Sequence, residues 1–383
     1  MLTVFIVLIG ALAAFHAFNV FWTAAGARRI VRWKKRDPDK PLPSVSVLVA
    51  AKDEERNIEA CLESLMTQDY PSDRYKVVIV DDRSTDRTPE LIQKYAEKYP
   101  NLTTLRIDKD PVGLTGKQNA LRHGVQLCDD EFVLNTDADC EAPPHWARSM
   151  ISRFSEDAGL VIGITLTHVK EKKAPLVARI QTLDMAALLT MAAGAAGWSL
   201  PISCIGNNFA YRKAAFDEVG GYEAMRQALT EDGELVRMIH RETDWKIAAA
   251  LEPESIMITE PARTWREFYR QRLRWFLGGF EMRSLPVYFM RVMMFYCWYL
   301  VFSPIVAFLV PELLIVTAAA IASKLAADFY LVWQAARQFN RRDILMPYIP
   351  FAVYYTLYGG LIGLATIFSK KVVWKGQTYQ RRK

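Results

Sequence analysis

The residue types able to do chemistry fall in three short acidic clusters, each placed after an apolar run. Lys52, Asp53, Glu54 and Glu55 follow SVSVLVAA; Asp81, Asp82, Arg83 and Ser84 follow YKVVIV; Asp137, Ala138 and Asp139 come shortly after Phe132, Val133 and Leu134. Carboxylates gathered at one rim repel each other unless something offsets them. Asp-x-Asp sets two carboxylates one spacer apart, a spacing that offers oxygen ligands to a hard cation such as Mg2+ or Mn2+, which commonly shares its shell with phosphate oxygens. A plainer role competes for each cluster alone: Asp53, and Ser84 or Thr85, stand where N-terminal helix caps stand. That alternative is weakest for Asp137 and Asp139. Lys117 follows Gly113, Leu114, Thr115 and Gly116, but the spacing is not that of a P-loop, and Gln118 stands where Ser or Thr would be. The five histidines show no metal-ligand spacing. Cys61, Cys128, Cys140, Cys204 and Cys297 are odd in number and scattered, which predicts reduced thiols in a cytosolic compartment.

The elements that must position these clusters alternate in period. Ser44 to Ala51 and Tyr75 to Val80 are β-branched runs, and Glu54 to Met66 between them puts Ile58, Cys61, Leu62 and Leu65 on one helical stripe. The pattern continues with a helix after Thr85, a strand near Thr103 to Ile107, a helix from Lys117 to Leu127 and a strand at Glu131 to Asn135. Repeated units of this kind predict an α/β fold with a mostly parallel, helix-covered sheet whose ligand crevice lies at the carboxyl ends of the strands. All three acidic clusters sit at such ends.

In order along the chain, from Pro43 to Trp275, stand PSVSVLVAAKDEERNIEACLESL, VVIVDDRSTDRT, GLTGKQNAL, NTDAD, GNNFAYRKAAFDEVGGY, TED and QRLRW. Together they resemble the family 2 glycosyltransferases of the GT-A fold, in their membrane-attached branch. The resemblance implies a Rossmann-like GT-A nucleotide-sugar domain. In it Glu54, Asp81 and Asp82 would hold the base and ribose of a nucleotide, by resemblance uridine, and Lys117 would face the nucleotide and its diphosphate. Asp137 and Asp139 would be the DxD motif, with Asp139 the more direct metal ligand. Thr230, Glu231 and Asp232 would be the TED block, with Asp232 the catalytic base. Gln271, Arg274 and Trp275 would form QxxRW, along the donor diphosphate and the acceptor entrance.

The residue types suit that reaction. Expelling a nucleoside diphosphate from a sugar's anomeric carbon requires stabilisation of growing negative charge, which Mg2+ or Mn2+ and Arg274 can supply. Asp232 taking the proton of an acceptor hydroxyl is general base catalysis, and a single direct displacement inverts the configuration. Read alone, Asp232 would serve equally as a cap for the helix running towards His240, and Trp275 as an interfacial anchor.

Length and composition frame these motifs. With 383 residues, 51% apolar and 23% charged, the chain can bury a sizeable core, which excludes disorder and a small disulfide scaffold. A net charge of +6 is too mild to argue for nucleic acid. The mean hydropathy of +0.02 averages uncharged ends with a charged middle. Met1 to Ala25 carries no charged residue and as a helix outreaches the ~30 Å hydrocarbon core. Arg28, Arg29, Arg32, Lys34, Lys35 and Arg36 follow, a cluster that the positive-inside rule puts in the cytoplasm. A cleaved signal peptide is the competing reading, since Ala24, Ala25 and Ala27 are small, but a basic start is missing and the run is too long.

Three more apolar segments close the chain: Val292 to Val310, Leu313 to Trp333 interrupted by Lys324 and Asp328, and Ile344 to Ser369. Two crossings plus one interfacial or re-entrant segment return the tail of Lys370, Lys371, Arg381, Arg382 and Lys383 to the cytosol, and Pro304 and Pro311 mark where a broken helix would start. The expected division is a transmembrane helix at 1–25, a cytosolic GT-A domain at 41–260, an interfacial helix with QxxRW at 261–285, a membrane region of two or three helices at 286–370 and a basic tail at 371–383. This describes a multi-pass protein of the cell's inner membrane with its catalytic domain in the cytoplasm.

Two segments bear on the acceptor. Met185 to Leu200 is uncharged, rich in Ala, Met and Gly and too short to span a bilayer; it reads as a buried core helix or as the lining for a greasy acceptor. Thr264 to Gly279 mixes Arg266, Arg270, Arg272 and Arg274 with Trp265, Phe268, Tyr269, Trp275 and Phe276, as an interfacial helix would. So few spans enclose no polymer channel. The expected reaction is therefore a single transfer of a glucose-like hexose from a UDP-sugar to a hydroxyl of a membrane-dissolved acceptor: a glycolipid precursor, a polyprenyl lipid or a hydroxylated isoprenoid or carotenoid. A processive polysaccharide synthase of the cellulose, hyaluronan or poly-N-acetylglucosamine type is the alternative. A sugar-nucleotide pyrophosphorylase would lack TED and QxxRW, and an inactive binding protein would have lost one of Asp139, Asp232 or Trp275.

Overall fold

The computed structural model describes residues 2–109, 116–168, 174–225, 230–280, 285–368, 371–374 and 377–380. Gly113, Leu114 and Thr115 of the GLTGKQNAL block, and Lys370, Arg381, Arg382 and Lys383 of the basic tail, lie outside these residues. The chain opens with helix α1 (Leu2–Val31) and alternates through β1 (Val45–Ala51), α2 (Ile58–Met66), β2 (Tyr75–Asp82), α3 (Thr88–Lys98), β3 (Leu102–Ile107), α4 (Gly116–Gly124) and β4 (Phe132–Asp137). Next come β5 (Cys140–Glu141), α5 (Trp146–Ser152), β6 (Ala158–Ile162), β7 (Ile164–Thr167), α6 (Leu176–Gly197), β8 (Asn208–Arg212), α7 (Lys213–Glu218), α8 (Gly221–Ala224), α9 (Glu231–Glu242), β9 (Lys246–Ala249) and β10 (Ile256–Thr259). The remainder is α10 (Trp265–Phe280), α11 (Leu285–Leu309), α12 (Leu314–Gln338), α13 (Tyr348–Phe368) and a hairpin of β11 (Lys371–Trp374) and β12 (Gln377–Gln380). Two units result: an α/β unit of Arg29–His168 and Ala196–Glu260, and a helical unit of Met1–Arg28, Val169–Ala195 and Pro261–Lys383.

In the α/β unit seven strands lie in the order β3-β2-β1-β4-β8-β6-β9, with β5-β10-β7 as a second sheet. The first four are parallel, and β8 runs antiparallel between β4 and β6. Strand β1 is buried along nearly its whole length because a parallel sheet is covered on both faces. The predicted stripe of Ile58, Cys61, Leu62 and Leu65 is the face of α2 that packs on Val47, Val49, Val77 and Ile79. Glu54 to Asn57, expected within that helix, form a turn instead. The backbone N–H groups of Asp53, Glu54 and Glu55 are taken by side chains between the end of β2 and the first residue of α3: Asp53 by Ser84 Oγ, Glu54 by Thr88 Oγ1 and Glu55 by Asp86 Oδ2, while the Asn57 N–H donates to the Glu54 carbonyl. For the same reason Asp53, Ser84 and Thr85 are not helix caps. The residues that precede α2 and α3 are Asn57 and Arg87, and neither makes a side-chain cap bond.

The helical unit presents large apolar side chains outward, among them Phe5, Phe302, Phe308, Ile315 and Ile349, a surface suited to hydrocarbon. Among the described residues four helices are long and apolar enough to cross a membrane: Leu2–Val31, Leu176–Gly197, Arg291–Leu309 and Pro311–Gln338. The second of these corrects the expectation for Met185 to Leu200. The helix starts nine residues earlier, at Leu176, takes in Asp184, and is 22 residues long. It is mostly buried, and it lies so close to α1 that a Cβ at Gly194 would come within 2.1 Å of the Thr23 carbonyl oxygen. Pro304 does not break α11, contrary to expectation. Its missing N–H frees the carbonyl of Leu300, and the Ser303 hydroxyl donates to that oxygen at 2.8 Å. Pro311 instead opens a short 3-10 turn, Pro311–Leu313, ahead of α12.

Charges inside this unit are paired. His16 of α1 meets Asp328 of α12 at 2.8 Å, and Lys324, one turn away, pairs with the same carboxylate. All three side chains are buried. Removing one partner strands the other in an apolar medium. Asp328→Leu is expected to cost about 3–5 kcal/mol, read as a marked fall in the melting temperature of the detergent-solubilised protein, whereas Lys324→Met with Asp328→Leu recovers most of it; equal melting of the two variants would contradict this pairing.

Candidate active site

Sheet register delivers the acidic ends to one place. Ala51 pairs with Asp81 and Ala50 with Asp137, so β2 and β4 bring their carboxylates to either side of the carboxyl end of β1. Two strand spacings, roughly 10 Å, separate them.

On the β2 side, Asp53 and Arg83 hold left-handed backbone conformations, with φ of 52° and 59°. Such angles are costly for residues with side chains and persist where surrounding bonds fix them. The Asp53 carboxylate accepts from the Thr85 N–H at 2.8 Å, and the Glu54 carboxylate accepts from Asn57 Nδ2 at 2.8 Å. Asp81 is buried and accepts from the Ser84 N–H at 3.2 Å and from Arg106 Nη1 at 2.8 Å. Asp82, also buried, takes both Nε and Nη2 of Arg83. The three residues predicted to hold a nucleotide, Glu54, Asp81 and Asp82, thus stand in one knot of two loops. Asp86, which the sequence motifs did not single out, ties that knot. One of its oxygens accepts from the N–H and hydroxyl of Thr88, the other from the Glu55 N–H. Burial opposes its charge, but these hydrogen bonds outweigh burial and hold its carboxyl below the ordinary 3.8.

On the β4 side, Lys117 at the start of α4 donates to Asp137 at 2.6 Å and lies 3.5 Å from Glu231 at the start of α9. The next residue, Asp232, accepts from the Gly233 N–H at 2.8 Å. A Cβ placed on Gly206 would sit 3.1 Å from the Asp232 carboxylate and 3.3 Å from Lys117 Nζ, so this glycine leaves open the space that both groups face. Predicted DxD, lysine and TED residues are therefore brought together. Burial works against the charge of Lys117, but Asp137 and Glu231 outweigh it and hold the ammonium well above the ordinary lysine value. Burial, with the charges of Asp232 and Glu231, pushes the Cys204 thiol well up; Cys61 and Cys140, beneath Asp137 and Asp139, are raised in the same way. Burial of this kind favours the protonated thiol. Among the described residues no group of three or more His, Cys, Asp or Glu side chains forms a metal cage. Two carboxylates, Asp137 and Asp139, are hard oxygen donors of the type that suits a divalent cation such as Mg2+ or Mn2+.

Gln271, Arg274 and Trp275 lie on α10 of the helical unit. What organises them is Arg272, the residue between. Its guanidinium is buried, donates to Asp184 at 2.5 Å and to Gln271 Oε1 at 2.8 Å, and lies over the rings of Phe268 and Trp275 at 4.5 and 4.2 Å. The sequence offered one signal for this pair: Asp184 is the lone acid beside the uncharged run that starts at Met185.

A glycosyl transferase family 21 model matches residues 3–383. The expected resemblance to a GT-A glycosyltransferase is met by this match, whose model is that of family 21. A probable glycosyltransferase, YdaM, of Bacillus subtilis is 30% identical over 66% of this chain and 58% of its own length. A beta-monoglucosyldiacylglycerol synthase of Synechocystis sp. is 30% identical over 63% of this chain and 49% of its own. The chain thus spans about half the length of the curated relatives it matches. In fold it is similar to the mannosyltransferase PcManGT from Pyrobaculum calidifontis, solved in complex with GDP-Man and Mn2+, with a TM-score of 0.55 and 20% identity over 92% of this chain and 99% of that one.

Because Asp86 is held below its unfolded value, the stability it lends is present at neutral pH and lost as pH falls through its folded value, below about 4. Asp86→Asn is expected to remove part of that acid-side loss in thermal melts taken between pH 3 and 7, and an unchanged acid profile would remove the carboxylate from the loop knot.

Proposed function

We propose, for a chain that belongs to glycosyl transferase family 21, that it transfers a glucose-like hexose from a UDP-sugar to the hydroxyl of a membrane-dissolved lipid, with inversion, and that Asp232 is its general base. The observation that carries this reading is the convergence of Asp137, Lys117, Glu231 and Asp232 around Gly206. Asp232 would take the acceptor's proton as the hydroxyl oxygen attacks the anomeric carbon, and the C–O bond to the diphosphate breaks on the opposite face. Lys117 fixes Asp137 and carries positive charge where the leaving group's negative charge grows. Asp137 and Asp139 would hold Mg2+ or Mn2+, which when bound supplies Lewis-acid stabilisation of the diphosphate. Glu54, Asp81 and Asp82 would orient the nucleoside through the knot of loops that Asp53, Ser84 and Asp86 lock in place.

A lipid acceptor is supported by the apolar outer face of the helical unit and by the similarity to a protein named beta-monoglucosyldiacylglycerol synthase. Diacylglycerol is accordingly the first acceptor to test, ahead of polyprenyl and carotenoid alcohols. The basic run from Arg28 to Arg36 after α1 supports a multi-pass inner-membrane protein whose catalytic residues face the cytoplasm, where nucleotide sugars are made.

The experiment is transfer by purified protein from radiolabelled UDP-glucose, UDP-galactose or UDP-N-acetylglucosamine to a membrane lipid extract, with Mg2+ or Mn2+. Organic-extractable label is expected, and Asp232→Asn should lower its rate about 10²–10⁴-fold, the range of general base catalysis, while UDP affinity stays within a few-fold. Label held in an aqueous, high-mass product would identify a polymer synthase instead.

A further inference from the structure

Lys117 holds one of the two carboxylates that would bind a divalent cation. Its ammonium lies 2.6 Å from Asp137 Oδ1 and 3.5 Å from Glu231 Oε1, so one positive group on α4 answers carboxylates of β4 and α9. All three side chains are reachable from solvent: 33% of Lys117, 31% of Asp137 and 11% of Glu231 is exposed. A Cβ at Gly206 would lie 3.3 Å from Lys117 Nζ, and the glycine keeps that approach open.

The charge of Lys117 and a divalent cation compete for the same carboxylate. An ion brought to Asp137 meets the ammonium at close range, and like charges repel strongly in a site only partly open to water. A nucleoside diphosphate reverses the balance. Its phosphate oxygens offset the ammonium's charge, and an ammonium has three N–H groups to share among acceptors. Glu231 is the partner that lets Lys117 loosen its hold on Asp137 without leaving its own charge unpaired.

We infer that Lys117, anchored by Glu231, makes divalent-cation binding at Asp137 depend on the donor: it opposes the cation while no nucleotide is bound, and turns from Asp137 towards the diphosphate when one arrives. Metal and nucleotide then fill the site together. This rests on the metal and donor reading proposed above and adds a role for Glu231, which the motifs left without one.

The test uses the full-length protein in detergent, Mn2+ as the probe and equilibrium dialysis as the readout, with and without UDP and with no sugar transfer. The wild type is expected to bind Mn2+ weakly alone and more tightly with UDP. Lys117→Met should bind Mn2+ alone at least about tenfold more tightly than the wild type, and UDP should improve its Mn2+ affinity by a smaller factor. Lys117→Arg keeps the charge and should restore the weak binding. Glu231→Gln leaves Lys117 to Asp137 alone and should bind Mn2+ more weakly than the wild type, a change opposite in sign that stands even where the lysine variant does not fold. Mn2+ binding without UDP that is no tighter in a folded Lys117→Met than in the wild type would overturn the inference. So would an equal gain from UDP in both, or Glu231→Gln binding Mn2+ as well as the wild type. In each of those failures Asp139→Asn still lowers Mn2+ binding. Failure of the metal reading shows instead as Mn2+ binding, with UDP present, that Asp139→Asn leaves unchanged, and it takes this inference with it.

Discussion

Repulsion among carboxylates at the carboxyl ends of the parallel strands is the constraint around which the α/β unit is built. Asp81, Asp82 and Asp137 end β2 and β4 on the two sides of β1, and Glu231 and Asp232 arrive from α9. Each is answered locally. Arg106 and Arg83 take Asp81 and Asp82, backbone N–H groups take Asp53 and Asp86, and Lys117 takes Asp137 and Glu231. Lys117 matters most, because it bridges residues that come from three elements distant in the sequence. Its ammonium makes the meeting of α4, β4 and α9 favourable where bare carboxylates would push them apart.

The helical unit solves a different electrostatic problem. Its buried acids, among the described residues, sit in apolar surroundings where an unpaired charge is costly, and each has a base beside it: Asp328 with Lys324 and His16, Asp184 with Arg272. The pairs also fix geometry. His16 and Asp328 tie α1 to α12, helices from opposite ends of the chain, and Asp184 with Arg272 ties α6 to α10. These ties join segments whose apolar faces would otherwise slide against lipid with little preference.

Local patterns read the α/β unit well and the helical unit less well, for a physical reason. Strand and helix periods, and the acidic ends of strands, are short-range properties, so β1, β2, β4 and the stripe on α2 were legible from the residues alone. The partners of those acids were not. That Arg106 answers Asp81, or Lys117 answers Glu231, depends on which strands become neighbours. The start of α2 was misplaced because side chains of a loop some 30 residues on compete for its first N–H groups, a tertiary effect that no local cap rule contains. In the helical unit hydropathy found α1, α11 and α12, to one residue at one end of each and several residues short at the other, where α1 runs on to Val31, α11 starts at Leu285 and α12 runs on to Gln338. The role of His16, and the length of α6, depended on long-range pairing with Asp328 and Arg272.

The two kinds of charge handling fit the two substrates of the proposed reaction. A nucleotide sugar carries its own negative charge and dissolves in water, so its site gains from a lysine and from carboxylates able to hold a divalent cation beside the diphosphate. A neutral lipid alcohol brings no charge, and a site with a net charge would favour water or ions over it. Ion pairs closed upon themselves leave apolar surroundings that suit such a molecule better. Residues of the first kind are gathered at Asp137, Lys117, Glu231 and Asp232, and closed ion pairs stand at Asp184 with Arg272 and at Asp328 with Lys324. The proposed reaction, which joins a soluble, charged donor to an apolar, neutral acceptor, calls for both.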